Sequence, residues 1–128
     1  MNQKKKIKNI LTDPKINSLI FYPRKNIISN QRFESEKHLR FQMPDGSEIG
    51  GILYQYDKQL PTIIFFHGNG EIAADYQIIK DNFHQCGVNL LVCDFRGYGI
   101  STGIPNYVHL IEDSIPIFNQ ATKWLKKR

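Results

Sequence analysis

Two glycine-rich stretches hold the residues best able to do chemistry. One is His67-Gly68-Asn69-Gly70. The other runs Asp94-Phe95-Arg96-Gly97-Tyr98-Gly99-Ile100-Ser101-Thr102-Gly103-Ile104-Pro105. Glycine lets backbone N–H groups approach a ligand closely, and N–H groups gathered at a helix start favour a negative oxygen. Two chemistries use that feature. Taken as Gly68-x-Gly70-x-x-Ala73, with Asp94 closing the next strand, the first stretch is a dinucleotide fingerprint: pyrophosphate at the helix start, the acid on a ribose. Taken as His67-Gly68-Asn69-Gly70, it is a loop whose N–H, just after His-Gly, points at the developing oxyanion of a tetrahedral intermediate.

Nucleophiles and metal ligands are scarcer. Gly99-Ile100-Ser101-Thr102-Gly103 is formally G-x-S-x-G. That elbow needs a strand running into the motif and a helix beginning at the serine. Arg96-Gly97-Tyr98 intervene after the strand, and Pro105 pushes Ile104 out of helical geometry. Ser101 is therefore expected to be a loop residue, not a nucleophile. His38, His84 and His109 fall in three separate elements without ligand spacing, and Cys86 and Cys93 form no C-x-x-C pair. No metal, cofactor or disulfide is expected, and two unpaired cysteines fit a reducing cytoplasm.

The positioning elements follow from periodicity. His38, Arg40 and Gln42 alternate with Leu39, Phe41 and Met43, a half-buried strand. Pro44-Asp45-Gly46-Ser47 has turn chemistry, and Ile49 to Tyr56 is the return strand, with a bulge expected at Gly50-Gly51. Thr62-Ile63-Ile64-Phe65-Phe66 and Val88 to Cys93 are short apolar runs expected to be buried on both faces of a parallel sheet. Between them Ile72, Tyr76, Ile79, Phe83 and Cys86 predict one amphipathic helix stopped by Gly87. After the second loop Asn106 can cap a last helix, which Pro116 should kink or break. Trp124 is expected to pack that helix. The fold class is α/β, with an antiparallel hairpin, then parallel strands with two crossover helices.

Composition limits the function classes. The chain has 128 residues, room for one domain, with 41% hydrophobic and 23% charged residues. Its formal charge of +5 sits at the ends: Lys4, Lys5, Lys6 and Lys8, then Lys123, Lys126, Lys127 and Arg128. Basic groups are not interleaved with aromatics on one face, so no nucleic-acid partner is expected. The ends are read as solvated, with anionic lipid the lesser reading. No apolar run approaches the ~20 residues of a membrane span. Asn9, Thr12, Asp13, Pro14 and Lys15 interrupt any secretory h-region, which favours a cytoplasmic location with peripheral membrane contact still open.

The second loop resembles the D-x-R-G-x-G-x-S-x-G-x-P loop of the alpha/beta-hydrolase family, in its serine-hydrolase, serine-aminopeptidase-like branch. With Phe66-His67-Gly68-Asn69-Gly70 upstream, the resemblance runs from about Leu39 to Leu125. It implies residues 1–35 as an irregular or helical extension and 36–128 as the N-terminal half of the domain. The family's roles would make Asn69 the oxyanion-hole N–H donor, with His67, Gly68 and Gly70 shaping its loop. Asp94 would pin the loop, and Arg96, with Gly97, Gly99 and Ser101, would belong to the loop after the fourth strand, Arg96 bonding backbone carbonyls there. The family's nucleophile, acid and histidine would follow residue 128. The expectation is a truncated or split ester, thioester or amide hydrolase, inactive alone, that meets a small acyl substrate only when completed. In the family order 1-2-4-3-5-6-7-8, strand 62–66 would keep an unpaired edge, inviting self-association or a partner chain. The other readings are a non-catalytic partner-binding half-domain and a small dinucleotide-binding unit.

Overall fold

Asn2 and Asp13 open the chain's first two helices. In the computed structural model, which describes residues 2–26 and 36–127, the Asn2 side chain accepts from Lys5 N at 2.9 Å and caps α1, Gln3–Thr12. Asp13 caps α2, Pro14–Ile20, with proline in the first turn, where its missing N–H costs nothing. Residues 27–35 of the expected extension, and Arg128 of the basic end, lie outside the described residues. Asn17 is buried and joins three elements. Its Nδ2 donates to Leu11 O and Asp13 O at 2.9 Å, and its Oδ1 accepts from Tyr107 N.

The hairpin is β1, Glu36–Gln42, and β2, Glu48–Tyr54. The turn forms as its residues dictate: Asp45 Oδ1 accepts from Ser47 N, and Gly46 takes φ 88°. The expected bulge is absent, and pairing runs unbroken from Glu36–Tyr54 to Gln42–Glu48. The two glycines answer to close packing instead. A Cβ on Gly50 would meet the Ile100 side chain at 2.5 Å, and one on Gly51 would meet the Phe41 ring and Val92 O at 3.1 and 3.2 Å.

The sheet order is β1-β2-β4-β3, where β3 is Thr62–Phe66 and β4 is Asn89–Cys93. β4 runs antiparallel to β2 and parallel to β3. Every residue of β4 is buried, as a continuous apolar run between neighbours requires. β3 departs from the expectation of burial on both faces. It is one of the two edge strands, opposite β1, and Ile63 and Phe66 are 41% and 37% exposed.

Helices cover both faces. On one, α5 (Ser114–Lys126) sets Ile117 and Ala121 against Phe41, Ile49, Leu53, Leu91 and Cys93, with Trp124 packed alongside. On the other, Ala73 and Tyr76 meet Ile52, Tyr54, Leu90 and Val92. The helix expected over 72–86 is two pieces: a 3-10 turn, Ala73–Ile78, and α3, Lys80–Gln85. Ile79 sits between them with non-helical backbone, half in solvent, and Cys86 is exposed. The last helix breaks as proline demands. α4, Tyr107–Glu112, meets α5 at Asp113, and Pro116 falls in the first turn of α5. No described helix is long and apolar enough to cross a membrane.

Candidate functional site

β3 and β4 pair in parallel through Phe66 and Cys93, so the loops after them leave the same sheet edge side by side. His67 begins the first loop, fully buried. Its Nε2 lies 2.9 Å from Asp94 Oδ1 and its Nδ1 2.8 Å from Gly68 O. Its ring packs on Phe95 and Tyr98, with centroids 4.4 and 5.7 Å away. Asp94 Oδ1 also accepts from Ala73 N at 2.9 Å. One carboxylate thus fixes the end of β4, the start of the first loop and the turn after it.

The glycines have separate reasons. A side chain on Gly68 would meet Glu71 Oε1 at 2.7 Å, and Gly70 takes φ 81°. Between them Asn69 is clamped by its side chain. Its Oδ1 accepts from Tyr98 OH at 2.7 Å and Tyr22 N at 3.3 Å, and its Nδ2 donates to Ile20 O at 2.5 Å. Its backbone N–H has no acceptor among the described residues. A residue held by three side-chain bonds with its N–H left open is a preorganised donor.

The clamp brings in residues that motif reading missed. Residues 21–26 run as a strap across both loops. Tyr22 N donates to Tyr98 OH at 2.9 Å, Gly99 N to Arg24 O at 2.7 Å and Asn26 N to Gly99 O at 3.1 Å. Arg24 Nη1 reaches Gly70 O at 3.0 Å and Asp75 at 2.6 Å. Tyr98 is wholly buried, and burial raises its hydroxyl pKa, so the phenol stays neutral as donor and acceptor. No local pattern signals these partners, because Tyr22 and Tyr98 stand 76 residues apart.

In the second loop Arg96 corrects its expected role. It bonds no carbonyl of its own loop. Nε and Nη2 form a two-pronged pair with Asp113 at 2.7 and 2.9 Å, and Nη1 holds Asp45 and Ser47 Oγ. Two carboxylates attract a guanidinium more strongly than neutral carbonyls do. Gly97 (φ 77°) and Gly99 (φ 57°) turn the chain, and Asp94 Oδ2 stands where a Gly99 Cβ would lie. Ser101 is buried. Its Oγ accepts from Gly50 N at 2.8 Å, and no imidazole is among its hydrogen-bond partners. The next helix begins only at Tyr107, so the elbow geometry is absent. Asp94, buried and engaged by His67 and Ala73, is not free to receive a ribose, which removes the support for a dinucleotide site. Among the described residues no group of three His, Cys, Asp or Glu could hold a metal ion.

The ion pairs make stability acid-sensitive. Arg96 and the Ser47 N–H hold the Asp45 carboxyl well below its usual range. The Gln42 amide and Arg40 lower Glu48. Burial opposes the shift at Asp75, but Arg24 and Ile72 N–H lower it on balance. A carboxyl whose folded value lies below its unfolded one contributes stability above the unfolded value, about 4, and loses it as pH falls through the folded value. The melting temperature is expected to hold from pH ~7 to ~5 and to drop below pH ~4. Asp45→Asn should make that drop shallower; a midpoint flat down to pH ~3 would contradict the assignment.

No family model matches the chain. It is 36% identical over 94 residues to the uncharacterized protein R595 of Acanthamoeba polyphaga mimivirus, covering 70% of this chain and 31% of that protein. It is 31% identical over 58 residues to an abhydrolase domain-containing protein of Dictyostelium discoideum, covering 45% of this chain and 6% of that one. It superposes on the Pyrococcus furiosus esterase Pf2001 with a TM-score of 0.56 and 25% identity, covering 83% of this chain and 42% of the esterase. The four-stranded sheet matches part of the alpha/beta-hydrolase fold. Its four-stranded order β1-β2-β4-β3 is the one the alpha/beta-hydrolase resemblance implied. The matched part is small: the chain spans about a third of R595 and under half of the esterase.

Proposed function

We propose that this alpha/beta-hydrolase unit supplies the oxyanion-holding side of a serine-type ester, thioester or amide hydrolase site. The observation that carries the reading is the open N–H of Asn69, held at the sheet edge by its own side chain. When a serine attacks an acyl carbon, the carbonyl oxygen gains negative charge, and a fixed donor stabilises that charge without reorganising. Among the described residues no hydroxyl or thiol is coupled to an imidazole base, so nucleophile, base and acid would come from other polypeptide. The edge of β3, which no described strand pairs, with Phe118 and Leu125 of α5 lining the groove beside it, suits the complementing strand. That edge also supports the second reading, a half-domain that binds a partner or another copy without hydrolysis.

A chimera tests the proposal. The full chain, which keeps the strap that clamps Asn69, replaces the matched segment of the Pf2001 esterase, and p-nitrophenyl acetate hydrolysis is measured. The expected result is an active chimera in which Asn69→Pro, which deletes the N–H, costs about 100-fold in kcat. Asn69→Ala, which keeps the N–H, should cost less. A folded but inactive chimera, or Asn69→Pro without effect, overturns the reading. The chain by itself should not turn over the ester; turnover abolished by Ser101→Ala would show that Ser101 is the nucleophile after all.

A further inference from the structure

α1 is a helix whose own charges oppose it. Lys4, Lys5 and Lys6 occupy its first turn, which holds no acidic residue. Cations at that end face the positive pole of the helix dipole. Lys4 and Lys8 stand four residues apart, a like-charge pair on one face. All four lysines are exposed, and none forms an ion pair with a described residue. Ile7, Ile10 and Leu11 recur at helical spacing on one side. Yet α1 buries no residue, and Ile7 and Ile10 are 49% and 53% exposed. Local charge and global fold disagree here, and such conflicts are expected at functional or strained sites.

We propose that α1 docks the protein on an anionic lipid surface. Headgroup phosphates and carboxylates would neutralise the lysines at the helix start and relieve their mutual repulsion. Ile7 and Ile10 would enter the boundary between headgroups and acyl chains, as the apolar side of an interfacial helix does. The exposed aliphatic side favours lipid over nucleic acid, which takes basic residues interleaved with aromatics. α1 carries no aromatic residue. Leu19, Ile20 and Tyr22, further along the chain, are exposed apolar residues as well, and Ile20 O accepts from Asn69 Nδ2.

The test is co-sedimentation of the full chain with vesicles, which needs no enzymatic activity and so stands or falls apart from the hydrolase reading. Binding is expected to phosphatidylcholine vesicles holding about 30 mol% phosphatidylserine. It should fall at least tenfold on pure phosphatidylcholine and at ~0.5 M salt. Replacing Lys4, Lys5, Lys6 and Lys8 with Gln should cost at least tenfold, and Ile7→Ser with Ile10→Ser severalfold, circular dichroism confirming an unchanged fold. Gln at Lys123, Lys126 and Lys127 should leave binding within twofold. No binding, equal binding to pure phosphatidylcholine, loss on the C-terminal change alone, or equally tight capture of a single-stranded oligonucleotide would each overturn the proposal.

Discussion

Arg96→Ala is expected to lower the unfolding free energy by about 3–5 kcal/mol in urea titration. The guanidinium and Asp113 are both buried, 6% and 7% exposed, and the Asp113 bond is the first cause of the raised Arg96 pKa. Removing the arginine leaves a carboxylate inside the protein with no partner. It also frees the β1–β2 turn, because Asp45 and Ser47 are held by the same group. Arg96→Lys should recover only part of the loss, since an ammonium cannot bond both Asp113 oxygens in the plane of the fork. Arg96→Met with Asp113→Leu should recover more, because the stranded charge is gone. A loss under about 1 kcal/mol for Arg96→Ala would mean that the pair behaves as a solvated one.

Asp94→Ala is the second large effect, about 3 kcal/mol of stability. It strands His67 Nε2 and Ala73 N–H, two buried groups that share one carboxylate oxygen. Leaving a buried donor unsatisfied costs about 1–3 kcal/mol each. Amide spectra should then show Gly68, Asn69 and Gly70 displaced, because His67 holds Gly68 O. Asp94→Asn, which keeps a carbonyl oxygen in place, should lose less. A loss below about 1 kcal/mol with an unmoved loop would show that the strap alone positions Asn69.

Much of this molecule is legible in its residues, for reasons that are local. The turn at Pro44–Ser47, the β4 strand and the break near Pro116 all follow from single-residue chemistry or an unambiguous apolar run. β3 shows where such reading ends. Its composition resembles that of β4, yet β4 lies between two strands and β3 at the margin, a difference set by topology. The 72–86 segment has helical spacing, but its first turn is claimed by Asp94 and Asp75, which bond Ala73 N and Ile72 N. The glycine pair in β2 reads as a bulge, whereas Gly50 makes room for Ile100 and Gly51 for Phe41 and Val92, all but Phe41 far along the chain. In the candidate site the two glycine loops are evident from the sequence. The strap, the Tyr98 hydroxyl and the carboxylate partners of Arg96 are not, because each depends on residues far apart in sequence.

The strand order has a consequence for synthesis. In the folded sheet β2 pairs with β4 on its second side, so β3 leaves the ribosome before its native neighbour exists. Thr62–Phe66 must wait, apolar and unpaired, until Asn89–Cys93 emerges and slots between. Non-local pairing of this kind slows folding and leaves the nascent chain open to aggregation.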